Sequence, residues 1–194
     1  MYLIVDSETS GLPRDWRAPV TRVDNWPRAI QIAWALYDRD GAPLSADSQI
    51  VRPVGFTIPP DAVAIHGITT ARALAEGRPI ADVLGDLSAA VASARVVVAH
   101  NASFDAAIIG AEYVRLGLRP PFSAETMVCT MRGSADFCRI PGPRGFKWPT
   151  LDELHRTLFG AGFDGAHDAG ADVAACAACF FELLRRGVIR VRRG

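Results

Sequence analysis

Three groups of acidic residues stand where secondary-structure elements should begin or end. Asp6 and Glu8 lie two apart at the close of a β-prone run, residues 2–5. Asp105 falls in the opening turn of an expected helix, and Asp172 in the opening turn of the last long one, five residues after His167. Side chains two apart on a strand face the same way, so Asp6 and Glu8 can reach a common ion. A carboxylate in the first turn of a helix is also favoured by the helix dipole, so each acid taken alone has an ordinary structural explanation. Together they could line one cleft, where mutual repulsion would raise some of their pKa values. Two divalent cations would cancel that repulsion, and hard oxygen ligands suit Mg²⁺ or Mn²⁺ better than zinc.

Bringing these side chains together requires a sheet. Apolar runs predict strands over residues 2–5, 30–37 and 49–54, the last two joined by a turn at 38–41, so this part of the sheet should be antiparallel. Between the first two strands, Pro13, Pro19 and Pro27 mark residues 13–28 as an insertion loop. Short helical pieces are expected at 61–65 and 70–76, around His66, and a longer helix at 80–94, where Ile80, Val83, Leu84, Leu87 and Val91 keep helical spacing. The continuous apolar run 95–99 fits a buried parallel strand. A helix over 104–118 should follow, with Ser103 as its cap, then a strand at 126–130 and helices at 150–159 and 170–186, the last capped by Asp168. The sum is a single α/β domain over residues 1–194 with a mixed sheet and helices on its faces.

Composition permits this and excludes little. Apolar residues make up 49% of the chain and charged ones 22%, enough for a sizeable core. Zero formal net charge argues against a protein that coats long nucleic acids, but not against one that grips an end. The clear basic cluster is Arg185, Arg186, Arg190, Arg192 and Arg193, read as a solvated tail over 187–194. Cys176 and Cys179 fall in an alanine-rich helical run and read as core rather than as a zinc or redox pair. Neither a basic leader with a long apolar stretch nor a run of 18 apolar residues is visible, so the expectation is a cytoplasmic protein without membrane contact.

Five blocks in order carry a resemblance. They are Asp6-Ser7-Glu8-Thr9-Ser10-Gly11-Leu12, His66-Gly67-Ile68-Thr69, His100-Asn101-Ala102-Ser103-Phe104-Asp105, Pro149-Thr150-Leu151-Asp152-Glu153-Leu154 and His167-Asp168-Ala169-Gly170-Ala171-Asp172. The sequence resembles the DEDDh (DnaQ-like) 3′–5′ exonucleases over nearly its whole length. Ser7 and Ser10 depart from a frequent threonine, which leaves the carboxylates untouched.

The resemblance implies a ribonuclease H-like fold with a five-stranded sheet, three strands antiparallel and then parallel ones. It implies hydrolysis of phosphodiester bonds at the 3′ end of single-stranded or frayed nucleic acid, DNA favoured, releasing nucleoside 5′-monophosphates. Two cations would be held by Asp6, Glu8, Asp105 and Asp172, with Asp6 bridging and His167 as general base; an imidazole pKa near 6.5 suits that role. Ser7 and Thr9 would lie near the 3′-hydroxyl, with Thr9 and Leu12 against the last sugar and base. Phe104 would stack on a base or open the helix core, and His66 would touch the terminal nucleotide or order its loop. Trp16, Trp26 and Trp148 flank loops and could stack on bases or sit at a domain edge. An RNA-trimming exoribonuclease would use the same machinery, and a non-catalytic module binding nucleic acid or a polymerase is the rival from another class. Partners to consider are a single-stranded DNA or RNA 3′ end, a polymerase and a second copy of the chain.

Overall fold

The computed structural model describes residues 1–143 and 145–191, so Arg192 and Arg193 of the basic cluster lie outside the described residues. Five strands form the main sheet: β1 (Tyr2–Thr9), β2 (Ala29–Tyr37), β3 (Pro43–Ile50), β4 (Val96–Ala99) and β5 (Val128–Cys129), in the order β3-β2-β1-β4-β5. β1, β2 and β3 are antiparallel neighbours, whereas β4 and β5 run parallel to β1. Between β3 and β4 come α1 (Pro60–His66), α2 (Thr70–Glu76) and α3 (Ile80–Ser93), and α4 (Ala102–Arg115) follows β4. Beyond β5 lie α5 (Thr130–Gly133), α6 (Ala135–Cys138), a small hairpin of β6 (Pro141–Gly142) and β7 (Gly145–Phe146), then α7 (Leu151–Phe159) and α8 (Ala169–Arg185). This is the expected mixed sheet with helices on both faces.

Alternation along β1 divides the core. Leu3 and Val5 pack with Val83, Leu87, Ile108 and Ile109 on the α3–α4 side. Ile4 faces Leu154, Val173, Cys176 and Phe180 on the α7–α8 side. Burial on both faces explains why β1 and β4 read as continuous apolar runs. Cys176 and Cys179 are free thiols inside the second layer, as their helical spacing suggested.

Several boundaries differ from expectation, each for a local reason. The third strand occupies Pro43–Ile50 rather than 49–54, because it is an exposed polar edge strand with no apolar alternation to reveal it. β5 keeps only two residues because Thr130 already opens α5. Asn101, not Ser103, caps α4, in a left-handed conformation (φ 68°) and without a side-chain cap bond. Asp168 does cap α8, accepting from the Ala171 N–H, and Thr150 and Glu153 form a reciprocal capping box on α7. The chain beyond α8 is less solvated than its arginines implied, since Ile189 is buried and Val188 and Val191 pack beside it. Arg185 and Arg186 both pair with Glu182.

Residues 13–28 are tied down. Asn25, in a 3-10 turn (Val23–Asn25), bonds the backbone of Asp15 in both directions. Trp26 is buried with its indole N–H on the Pro19 carbonyl, so it is a core residue and not a base-stacking one. Glu112 of α4, 1% exposed, takes two hydrogen bonds from the Arg28 guanidinium and one from the Ala29 N–H. Arg115 Nη1 lies 2.9 Å from the same carboxylate without hydrogen-bond geometry, while its Nη2 donates to the carbonyls of Val23 and Trp26. Removing one partner from such a buried cluster leaves charges uncompensated, which typically costs about 3–5 kcal/mol. Glu112→Ala should therefore lower stability by about 3 kcal/mol or more in urea denaturation.

Candidate active site

β1 outruns its parallel neighbour. Tyr2, Leu3 and Ile4 pair with Val96, Val97 and Val98, and β1 continues from there to Thr9. A gap therefore opens beside Asp6, at the carboxyl ends of the two parallel strands, where ligand crevices form in α/β sheets. The opening turn of α4 fills it. Asp105, 2% exposed, enters from there and accepts a 2.8 Å hydrogen bond from the Ser7 hydroxyl.

Asp6 and Glu8 point to the α8 side. There the ligand atoms of Glu8, His167 and Asp172 lie within 4.8 Å of one another. Asp6 and Asp105 fall outside that tight group but are coupled to it electrostatically. Asp6 is held well above the usual carboxyl pKa by burial first, then by the charges of Asp105, Asp172, Glu8 and Asp168. Burial, followed by Asp172 and Asp105, pushes Glu8 up to about 8. Asp105 rises to about 7, again chiefly from burial, with the Ser7 hydroxyl pulling the other way. Asp172 is raised by burial and partly relieved by the His167 N–H, which donates to it at 3.2 Å. Of the five residues expected to act together, Glu8, His167 and Asp172 are adjacent, and Asp6 and Asp105 stand near enough for the acids to raise one another's pKa.

The carboxylates suit a divalent cation. Among the described residues none of the four forms an ion pair with lysine or arginine. Burial and neighbouring charge push each toward its protonated form, an effect that a cation between them would offset.

Beside the acids is a cavity of about 530 Å³, lined by the β1 turn from Ser7 to Leu12, by Asp61, Ile65 and His66 of α1, and by Phe104. Expected substrate contacts gather here, though two hydroxyls are already engaged: Ser7 bonds Asp105 and Thr9 donates to the Gly11 carbonyl at 2.7 Å. Leu12 is 73% exposed at the rim. Trp16 lies over Phe104 with ring centroids 5.8 Å apart. His66 Nδ1 accepts from the Ile68 N–H, so Nε2 carries the proton. That Nε2 is buried with no hydrogen-bond partner among the described residues. Burial lowers the His66 pKa, with the nearby Thr9 backbone opposing it, although no well-formed bond joins the two.

Sequence reading missed the residue that seats α8. Gln31 of β2 is buried; its carboxamide accepts from the Ala169 N–H and donates to Asp168 and Ser48. It thereby fixes the start of the helix that carries Asp172. Its signal was available as a lone amide within the apolar run Ala29-Ile30-Gln31-Ile32-Ala33. His100 has its pKa lowered to about 4 by burial, which favours its neutral form near neutrality. It joins Thr130 through Nδ1 and the Pro149 carbonyl through Nε2, each at 3.0 Å.

The exonuclease (RNase T) family model matches residues 3–180. The chain belongs to the exonuclease family. No curated protein matches it by sequence. Among solved structures, this exonuclease domain resembles E. coli Exonuclease I in complex with a dT13 oligonucleotide, at 21% identity and a TM-score of 0.72 over 95% of this chain and 41% of the other. The zinc-bound E. coli Exonuclease I–ssDNA complex aligns at 20% identity and a TM-score of 0.74, over 95% and 40% of the two chains. At such identity the likeness establishes the fold. The exonuclease domain described here spans about two fifths of those relatives' length. None of its helices is long and apolar enough to cross a membrane, among the described residues.

The raised carboxyl pKa values carry a sign. Groups that ionise near 4 when unfolded but near 7 to 8 when folded bind more protons in the native state over that interval. Stability of the metal-free protein should therefore fall as pH rises from about 4 to about 8. In thermal melts, added Mg²⁺ or Mn²⁺ should raise the Tm most at the upper end of that interval, and a chelator should abolish the gain.

Proposed function

We propose that the chain removes nucleotides from the 3′ end of single-stranded or frayed nucleic acid, DNA favoured, and releases nucleoside 5′-monophosphates. The observation that carries this reading is the adjacency of the Glu8–His167–Asp172 group to the cavity at the Ser7–Leu12 turn. That cavity is flanked by α1 and Phe104, a shape suited to a chain terminus. The oligonucleotide complexes of the solved relatives agree with a single-stranded DNA substrate. A single catalytic domain over the whole chain is the unit to which we assign the activity.

Asp6, Glu8, Asp105 and Asp172 would hold two divalent cations, Mg²⁺ or Mn²⁺. Such ions, when bound, polarise the phosphate and ease ionisation of water. His167, exposed at the mouth of the cleft, takes the proton as the water oxygen bonds to phosphorus. The bond from phosphorus to the 3′ oxygen of the penultimate nucleotide breaks, and that oxygen takes a proton from solvent to become the new 3′-hydroxyl. His66 offers its unpaired Nε2–H to an oxygen of the terminal nucleotide. Leu12 and Phe104 bracket the last base, and Ser7 keeps Asp105 oriented.

Digestion of 5′-labelled DNA, RNA and duplex oligonucleotides tests the proposal. Stepwise shortening from the 3′ end that stops with chelator is the expected result, single-stranded DNA being cut fastest. Asp6→Ala should abolish cleavage, and substantial activity in that purified variant would refute the assignment. His167→Ala should lower kcat by about 10²–10⁴-fold, the usual worth of a general base. Wild-type turnover with an unchanged pH profile would remove His167 from the mechanism.

A further inference from the structure

We infer that Arg132 and Trp148 form a second binding platform for the same single strand, taking a nucleotide on the 5′ side of the terminal one. The inference rests on the exonuclease reading and extends it beyond the cleft.

Trp148 is 56% exposed, and the Arg132 guanidinium lies over its ring, 5.3 Å from the centroid. An indole left half in water exposes apolar surface, which a stacking base would cover. Among the described residues Arg132 has no carboxylate partner. Its hydrogen bond is a long one, 3.5 Å, to the Ser103 hydroxyl. A guanidinium with no carboxylate partner beside a half-exposed indole suits one nucleotide, with the base stacked and the phosphate paired. Lys147, by contrast, is already paired with Glu153 at 2.6 Å.

The platform is continuous with the cleft. Ser103 immediately precedes Phe104, which lines the terminal cavity, and stands two residues before Asp105. Arg132 thus links Ser103, the neighbour of Phe104, to Trp148, and Phe146 of the β6–β7 hairpin is exposed two residues before Trp148. A strand leaving the cavity past Phe104 meets these groups next.

The platform is also held in place, which an incidental surface contact would not be. His100 bonds Thr130, the first residue of α5 that carries Arg132, and the Pro149 carbonyl next to Trp148. One neutral imidazole at the end of β4 thus fixes both halves of the platform to the strand that leads into Asp105. His100 is a positioning residue in this scheme.

Stacking reads base faces and not base edges, so the platform should tolerate any sequence but require unpaired bases. Binding of a 5′-fluorescein dT12 strand, followed by anisotropy in chelator, measures it without turnover. Trp148→Ala should weaken that binding by about tenfold and Trp148→Phe should restore most of it, since an aromatic stack is worth about 1–3 kcal/mol per base. Arg132→Gln should weaken it several-fold and reduce the slope of log Kd against log salt by about 0.7, as expected for one lost phosphate contact on a single strand. In the divalent-loaded enzyme, the ratio of kcat/KM for dT12 to that for the dinucleotide should fall by about tenfold in Trp148→Ala. Both side chains are exposed, so the variants should fold. Wild-type binding and cleavage of dT12 together with unaltered Kd in both variants would overturn the platform alone. A wild-type protein that shortens neither substrate would bring down the exonuclease reading and the platform with it.

Discussion

The burial of four carboxylates close to one another is the constraint around which this molecule is arranged. Such a cluster is unfavourable by construction, and the fold maintains it by placing each acid on an element whose position is fixed elsewhere. Asp6 and Glu8 ride on the central strand, whose apolar residues are locked into both core layers. Asp105 sits in a helix anchored by Glu112 and its two arginines. Asp172 sits in a helix whose start is bonded to Gln31. The energy that holds the acids together is therefore apolar packing and buried hydrogen bonding at a distance from them. Local strain and missing counter-charge are concentrated where chemistry is expected.

His167 shows the same economy on a smaller scale. It adopts a left-handed backbone (φ 69°), unusual for a side chain with a Cβ, and its N–H rests on Asp172. The residue we propose as the general base is thus placed by one of the carboxylates proposed to hold metal. The segment before it is packed through His155, whose ring meets Phe159 and Phe163 and whose Nδ1 bonds the Ala161 carbonyl.

Much of this was legible in the amino-acid sequence, for identifiable reasons. Strands buried on both faces announce themselves as apolar runs, so β1, β2 and β4 were found close to their true positions. The acids were legible because they recur in ordered blocks with a glycine turn and helix starts between them. Gln31 was overlooked because one amide in an apolar run looks like noise until its partners, 17 and about 138 residues away, are seen. Trp26 looked like a loop aromatic because nothing local signals that Pro19 and α4 close over it. The Arg132–Trp148 pairing depends on a short helix and a hairpin of two two-residue strands that carry no periodicity at all.

The polar strand β3 has a consequence for how the protein behaves in company. It forms one margin of the main sheet, and its outer row of amides and carbonyls is a template on which another chain could align. Pro43 at its start, Asp47 at its middle and serines on either side of Asp47 make that margin hydrophilic and irregular. The opposite margin, β5, offers only two residues. Both flanks are blunted against self-association, and the feature that hid β3 from hydrophobic pattern-reading is the one that guards it from aggregation.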